Sequence, residues 1–140
     1  MPYRKAEVRP YRAEDEALLF DLARRTFGER GGWDERRTLT VLEGETVFIA
    51  EIDHAPAGYV ALEELDEAVR IDQLLVSPDH EAQGVGHQLL EWAEGYAISA
   101  RASILQVVVE PDNSRALDFY RRFGFAQVES GLFELVLPQE

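Results

Sequence analysis

Ile71-Asp72-Gln73-Leu74-Leu75-Val76-Ser77-Pro78-Asp79-His80-Glu81-Ala82-Gln83-Gly84-Val85-Gly86-His87-Gln88-Leu89-Leu90 sets three elements end to end. Ile71, Leu74, Leu75 and Val76 form a short apolar run suited to a buried strand. Pro78 cannot donate to a sheet ladder, so it opens a polar connector that reaches Gln83. Gly84-Val85-Gly86 then leads into a helical pattern in which Val85, Leu89, Ala93, Ala97 and Ala100 share one face. A strand, a glycine turn and a helix start together suit an anion. The first N–H groups of a helix have no internal partner, its dipole favours negative charge there, and glycine lets the backbone come close. A plain tight turn would carry the same two glycines. A dinucleotide motif needs a third glycine where Leu89 stands, and a phosphate loop needs a Gly-Lys-Ser/Thr triplet, which the chain lacks.

The 140 residues suit a single domain, 1–140, with a core of its own. There are no cysteines, which leaves no disulfide framework, thiolate metal site or cysteine nucleophile. No run approaches the ~18 apolar residues of a membrane span, and the polar start is not a leader, so a cytoplasmic protein without membrane contact is expected. The formal charge of −13 repels nucleic acid, and Arg115, Arg121 and Arg122 are too few to override it. The same charge would draw in a cationic substrate. His54, His80 and His87 fall in turns or at a helix start without metal-ligand spacing; they read as surface residues, and no metal is expected.

Outward from the opening stretch, the elements alternate. Ala6 to Pro10 reads as a strand, and a helix begins at Arg12 to Glu14 with Leu19, Leu22, Ala23 and Phe27 as its stripe. Gly28 to Gly32 breaks it, and Trp33 to Leu42 forms a shorter helix closed by Gly44. Thr46 to Ile52 and Ala57 to Leu62 make a hairpin; an acidic turn, Glu63 to Glu67, leads to the strand Ala68 to Val76. After the helix from Gly86 to about Ala100 come a strand, Ile104 to Val109, and a helix entered through Pro111-Asp112-Asn113 and stopped by Gly124. Phe125 to Val128 and Leu132 to Leu137 form a last hairpin around Ser130-Gly131. The order β-α-α-β-β-β-α-β-α-β-β describes an α/β, mixed-sheet fold: an antiparallel meander, then a strand-helix-strand crossover between parallel neighbours.

The pattern Leu74-x-Val76-x-Pro78, Gln83-Gly84-Val85-Gly86 and Asn113-x-x-Ala116-x-x-Phe119-Tyr120-x-x-x-Gly124-Phe125 resembles the GNAT superfamily of acyl-CoA-dependent N-acetyltransferases along nearly the whole chain. The resemblance implies acetyl-CoA as cosubstrate and a primary amine, small molecule or peptide, as acceptor, with direct transfer in a ternary complex. Backbone N–H groups of Gln83, Gly84, Val85, Gly86 and His87 would hold the pyrophosphate. Leu74, Leu75 and Val76, on a bulged strand splayed from its neighbour, would pair with the pantetheine arm, and the Leu74 N–H would face the developing oxyanion. Tyr120 would protonate the leaving thiolate. Asn113 fits either a cofactor contact or a helix cap. The acceptor site would be lined by the Phe27–Trp33 loop, the short second helix and the final hairpin, with Trp33 offering a face to a cation. The closing hairpin also supplies an edge for a homodimer.

Two departures stand out. Glu81 occupies the first position of the family's Gln/Arg-x-x-Gly-x-Gly/Ala pattern, which sets a carboxylate beside a pyrophosphate site. Arg70 stands at one position where members often carry a catalytic glutamate, leaving Asp72, Glu63, Glu64 and Glu110 as candidate bases. These departures motivate an alternative: an acyl-CoA-binding module that has lost catalysis.

Overall fold

The computed structural model describes residues 5–28, 35–80 and 84–139. The strands are β1 (Glu7–Pro10), β2 (Thr46–Ile52), β3 (Ala55–Glu64), β4 (Ala68–Val76), β5 (Ile104–Val108), β6 (Ala126–Glu129) and β7 (Leu132–Val136). The helices are α1 (Glu16–Gly28), α2 (Glu35–Gly44), α3 (Val85–Ser99) and α4 (Ser114–Phe123). One seven-stranded sheet runs β1-β2-β3-β4-β5-β7-β6. Only β4 and β5 are parallel neighbours, joined across α3; the meander and the closing hairpin are antiparallel, as expected from the sequence.

Period-two alternation assigns the two faces of the sheet. From β2 and β3, Val47, Ile49, Tyr59 and Ala61 join Leu19, Leu22 and Ala23 of α1 and Val41 and Leu42 of α2 in one core. Phe48, Ala50, Ile52, Val60 and Leu62 face the other way, onto Val85, Leu89, Leu90, Ala93 and Ala97 of α3 and Tyr120 of α4. The α3 residues are no more than 1% exposed, and burying each large one contributes ~1.5–3 kcal/mol. That burial, more than helix propensity, holds a 15-residue helix in place. Gln88 adds register: its Oε1 accepts from the Ala6 N–H at 3.0 Å and its Nε2 donates to the Ala6 carbonyl at 3.1 Å. Ala100, expected on this stripe, is exposed beyond the helix end. α2 runs two residues past Leu42, and Gly44 is its last helical residue.

A buried charge ties β1 to the start of α1. Arg9 Nη1 and Nη2 donate to the two Asp15 carboxylate oxygens at 2.9 Å each, the Arg12 N–H donates to Oδ2 at 2.8 Å, and Arg9 Nε reaches Glu51 at 2.8 Å. The Arg9 hydrogen bonds, ahead of the Arg12 N–H, hold the Asp15 carboxyl below its usual range. A carboxyl depressed in the folded state stabilises fully above its unfolded value near pH ~4, and that contribution is lost as pH falls through the folded value. Asp15→Asn should therefore cost about 1–3 kcal/mol at neutral pH. Urea titrations at pH 7 and at about pH 3 should show this gap shrinking on acidification; a gap of equal size at both would remove the carboxylate's charge from the explanation.

Candidate functional site

The site grows from an irregularity in β4. Against β3, Gln73 lies opposite Ala61 and Ile71 opposite Leu62, so Asp72 is an extra residue, a β-bulge. One inserted residue reverses the alternation beyond it. Val69 and Ile71 before the bulge and Leu74 and Val76 after it all pack on the α3–α4 core, while Leu75 turns to the α1–α2 core. Gln73 turns the same way, its Oε1 accepting the Tyr59 hydroxyl at 2.7 Å.

Pairing with β5 ends at the same place: the last partners are Ile71 and Val107. Beyond them β4 has no ladder partner on that side among the described residues. The Ser77 N–H donates to the Ala57 carbonyl of β3 at 2.8 Å. Backbone N–H groups alternate sides along an extended strand, so those of Leu75 and Gln73 turn toward β3, and those of Leu74 and Val76 turn into the opening left by β5.

That opening is a pocket of about 390 Å³. One wall is Leu74, Leu75 and Val76; another is the start of α3, Gly84 to His87; the third is the first turn of α4 with Phe119 and Tyr120, while Thr26 and His80 complete it. Gly84 takes φ +79 at the N-cap of α3, a left-handed conformation that favours glycine. The first helical bond is Gln88 N–H to the Gly84 carbonyl at 3.0 Å, so the N–H groups of Val85, Gly86 and His87 precede the α-helical ladder. The N-terminus of α4 meets the same pocket through Asn113, Arg115 and Ala116. Two positive dipole ends thus converge. In a chain with 27 acidic residues, no carboxylate lines this cavity among the described residues.

Tyr120 is 7% exposed, with Phe119 and Phe125 set edge-on at 5.1 and 5.4 Å. Burial pushes its phenol up from the usual value, so it keeps its proton at neutral pH. Asn113 caps α4: its Oδ1 accepts from the Ala116 N–H at 3.2 Å, while the residue also lines the pocket.

Leu74, Leu75, Val76, Gly84, Val85, Gly86, His87, Asn113 and Tyr120 are thereby brought to one cavity. Gln83, Glu81, Trp33 and the Phe27 side chain lie outside the described residues. Glu110 is exposed and is not part of the wall. Arg70 Nε donates to Gln106 on β5 at 2.9 Å, and Glu64 accepts the Tyr96 hydroxyl. His54 and His87 are exposed, but His80 corrects the surface reading: it is half-buried in the pocket wall, and its Nδ1 is enclosed without a hydrogen-bond partner among the described residues. A proline-led connector gives no sign that it folds back as a 3-10 turn, Pro78–His80, against the cavity.

Asp72 and Glu63 do meet, and Glu45, which sequence reading missed, joins them. Carboxylate oxygens of the three lie within 4.8 Å of one another, all half-buried. Only the register of β3 against β4 and the end of α2 reveal this.

A sheet split along one strand, with two helix N-termini over the gap, has a shape and dipole arrangement suited to an elongated anion. The model of the Acetyltransferase (GNAT) family matches residues 11–125, and the chain belongs to that family. An uncharacterised N-acetyltransferase of Methanocaldococcus jannaschii is 32% identical over 89 residues, 59% of this chain and 39% of that protein. Spermidine N(1)-acetyltransferase of Escherichia coli K12 is 28% identical over 87 residues, 60% of this chain and 47% of that protein. The matches thus span less than half the length of either relative. The crystal structure of a GNAT family acetyltransferase from Brucella melitensis in complex with acetyl-CoA superposes with a TM-score of 0.76 at 17% identity, covering 99% of this chain and 92% of that one. At that identity the likeness is one of fold. No helix among the described residues is long and apolar enough to cross a membrane.

Proposed function

We propose that the chain transfers an acetyl group from acetyl-CoA to the primary amine of a cationic acceptor by direct attack in a ternary complex. The observation that carries this is the unpaired stretch of β4, whose Leu74 and Val76 N–H groups turn into a cavity that also holds Tyr120 and two helix N-termini. The backbone at Gly84 to His87 receives the pyrophosphate, and the enclosed Nδ1 of His80 offers a further polar contact. Leu74 to Val76 pair with the pantetheine arm as an added strand would. The neutral amine nitrogen attacks the thioester carbon, and its π electrons move to oxygen, where the Leu74 N–H faces the negative charge. Collapse breaks the C–S bond; Tyr120 protonates the departing sulfur, the new amide nitrogen gives up its proton to water, and the Tyr120 phenolate regains a proton from water to close the cycle.

The acceptor approaches from the opposite face of β4. Asp72 and Gln73 belong to the bulge, and Asp72 lies two residues, about 7 Å of extended chain, before Leu74. Three carboxylates as close as those of Glu45, Glu63 and Asp72 repel one another, and a cation relieves that repulsion. An ammonium of a polyamine fits this charge, and a relative is named for acetylating spermidine. β4 then separates an anion-holding side from a cation-holding side, with the reacting carbonyl between them.

Release of thiol from acetyl-CoA, compared for spermidine and simple monoamines, tests this. Polyamine-dependent release is expected; none with any amine would leave only a binding module. Asp72→Asn should raise KM for the polyamine about tenfold while leaving KM for acetyl-CoA unchanged. Equal effects on both constants would take Asp72 out of the acceptor site.

A further inference from the structure

We infer that Arg115 receives a phosphate of the cosubstrate and supplies from α4 the positive charge that the glycine turn does not bring with it; this rests on the acetyl-CoA reading of the pocket. Between Arg70 and Arg101 the chain contains no lysine or arginine. The strand, connector, turn and helix that form the anion site therefore contribute backbone N–H groups and no permanent cation, and the connector carries Asp79 and Glu81. Phosphates held there need a cation from another element. Among the described residues lining the cavity, Arg115 is the one lysine or arginine.

Its position is informative. Arg115 is the second residue of α4, in a first turn that has no acidic residue, where the helix dipole disfavours a cation. The other two arginines of this helix, Arg121 and Arg122, lie in the last turn, where the dipole favours them. Arg115 is exposed, and the dipole of its own helix does not account for its place in the first turn. Beside a phosphate the same placement is favourable, because the guanidinium, the α4 N-terminus and the α3 N-terminus then act on one anion. With a net charge of −13 on the protein, a local cation also offsets long-range repulsion of an anionic cosubstrate. The shared chemistry is a phosphate ester. It has two sources in acetyl-CoA, the pyrophosphate bridge and the 3′-phosphate on the ribose.

Calorimetric titration of the full chain, Arg115→Gln and Arg115→Lys with acetyl-CoA and with 3′-dephospho-acetyl-CoA separates these. Arg115→Gln should weaken acetyl-CoA roughly tenfold or more. Arg115→Lys should recover part of the loss, since it keeps the charge and loses the fork. KM for acetyl-CoA should rise in step with the lost affinity, while KM for the acceptor amine stays where it is. Ligand-free Arg115→Gln should melt no lower than the parent, which separates lost binding from lost fold. A loss confined to acetyl-CoA assigns Arg115 to the 3′-phosphate; an equal loss for both ligands assigns it to the pyrophosphate. Unchanged affinity in Arg115→Gln would overturn the inference. If the parent itself binds neither ligand, the acetyl-CoA reading fails first and takes this inference with it.

Discussion

Tyr120→Phe is expected to lower kcat by about 10²- to 10³-fold while acetyl-CoA affinity stays within about twofold. The substitution removes one hydroxyl and keeps the ring, and with it the edge-on packing of Phe119 and Phe125. Among the described residues none hydrogen-bonds that hydroxyl, so no partner is stranded. What disappears is the proton for the leaving thiolate. Because burial raises the phenol above its ordinary value near pH ~10, the group stays protonated throughout the neutral and mildly alkaline range. The parent kcat should accordingly show no descending alkaline limb from this residue below about pH 10. Steady-state kinetics with both substrates varied check the two statements together. An unchanged kcat in the variant would exclude Tyr120 from the proton transfer.

Gly58→Ala is expected to be costly for a single methyl group. A Cβ at Gly58 would lie 2.4 Å from the Leu75 carbonyl, 3.2 Å from Leu89 Cδ1 and 3.3 Å from Val76 Cα. Two of those three contacts are backbone, so β4 must move or the strand pair must open. Overpacking of this kind costs about 2 kcal/mol or more, a fall of roughly 5–10 °C in melting temperature for a chain this size. The carbonyl displaced belongs to Leu75, between the two N–H groups that turn into the cavity, so acetyl-CoA binding should weaken as well. Gly95→Ala is the control: nothing lies within 4 Å of its added Cβ, and it sits in α3, where alanine is favoured by up to about 1 kcal/mol. If both variants melted alike, close approach at Gly58 would not be what fixes β4.

Much of this fold is legible because its local signals agree. The hydrophobic run of β2, the Asn113 cap and the glycine stop at Gly124 each mark an element or its end to within a residue or two. The parallel β4–β5 pair follows from the helix between the strands. The pocket wall of Leu74 to Val76 and Gly84 to His87 was legible for the same reason: strand, turn and helix start are contiguous in sequence. The bulge position was not. Asp72 is marked as the extra residue only by its register against Ala61 and Leu62, and a one-residue slip changes which of Leu74 and Leu75 turns its N–H into the cavity. Groups delivered by distant elements were equally hidden. Thr26 arrives from α1, Arg115 across the gap from α4, and Glu45 joins Glu63 and Asp72 from the end of α2. His80 was misread because a polar residue in a connector is exposed by default, whereas here the connector turns inward.

Titration of the unaltered chain with acetyl-CoA in a calorimeter tests the central claim, that the split between β4 and β5 holds this cosubstrate. Saturable one-to-one binding in the micromolar range is expected, from the backbone donors at Gly84 to His87 and the open edge of β4. No heat at millimolar acetyl-CoA would mean that the cavity does not hold acetyl-CoA, and the assignments of Leu74, Tyr120 and Arg115 would fall together.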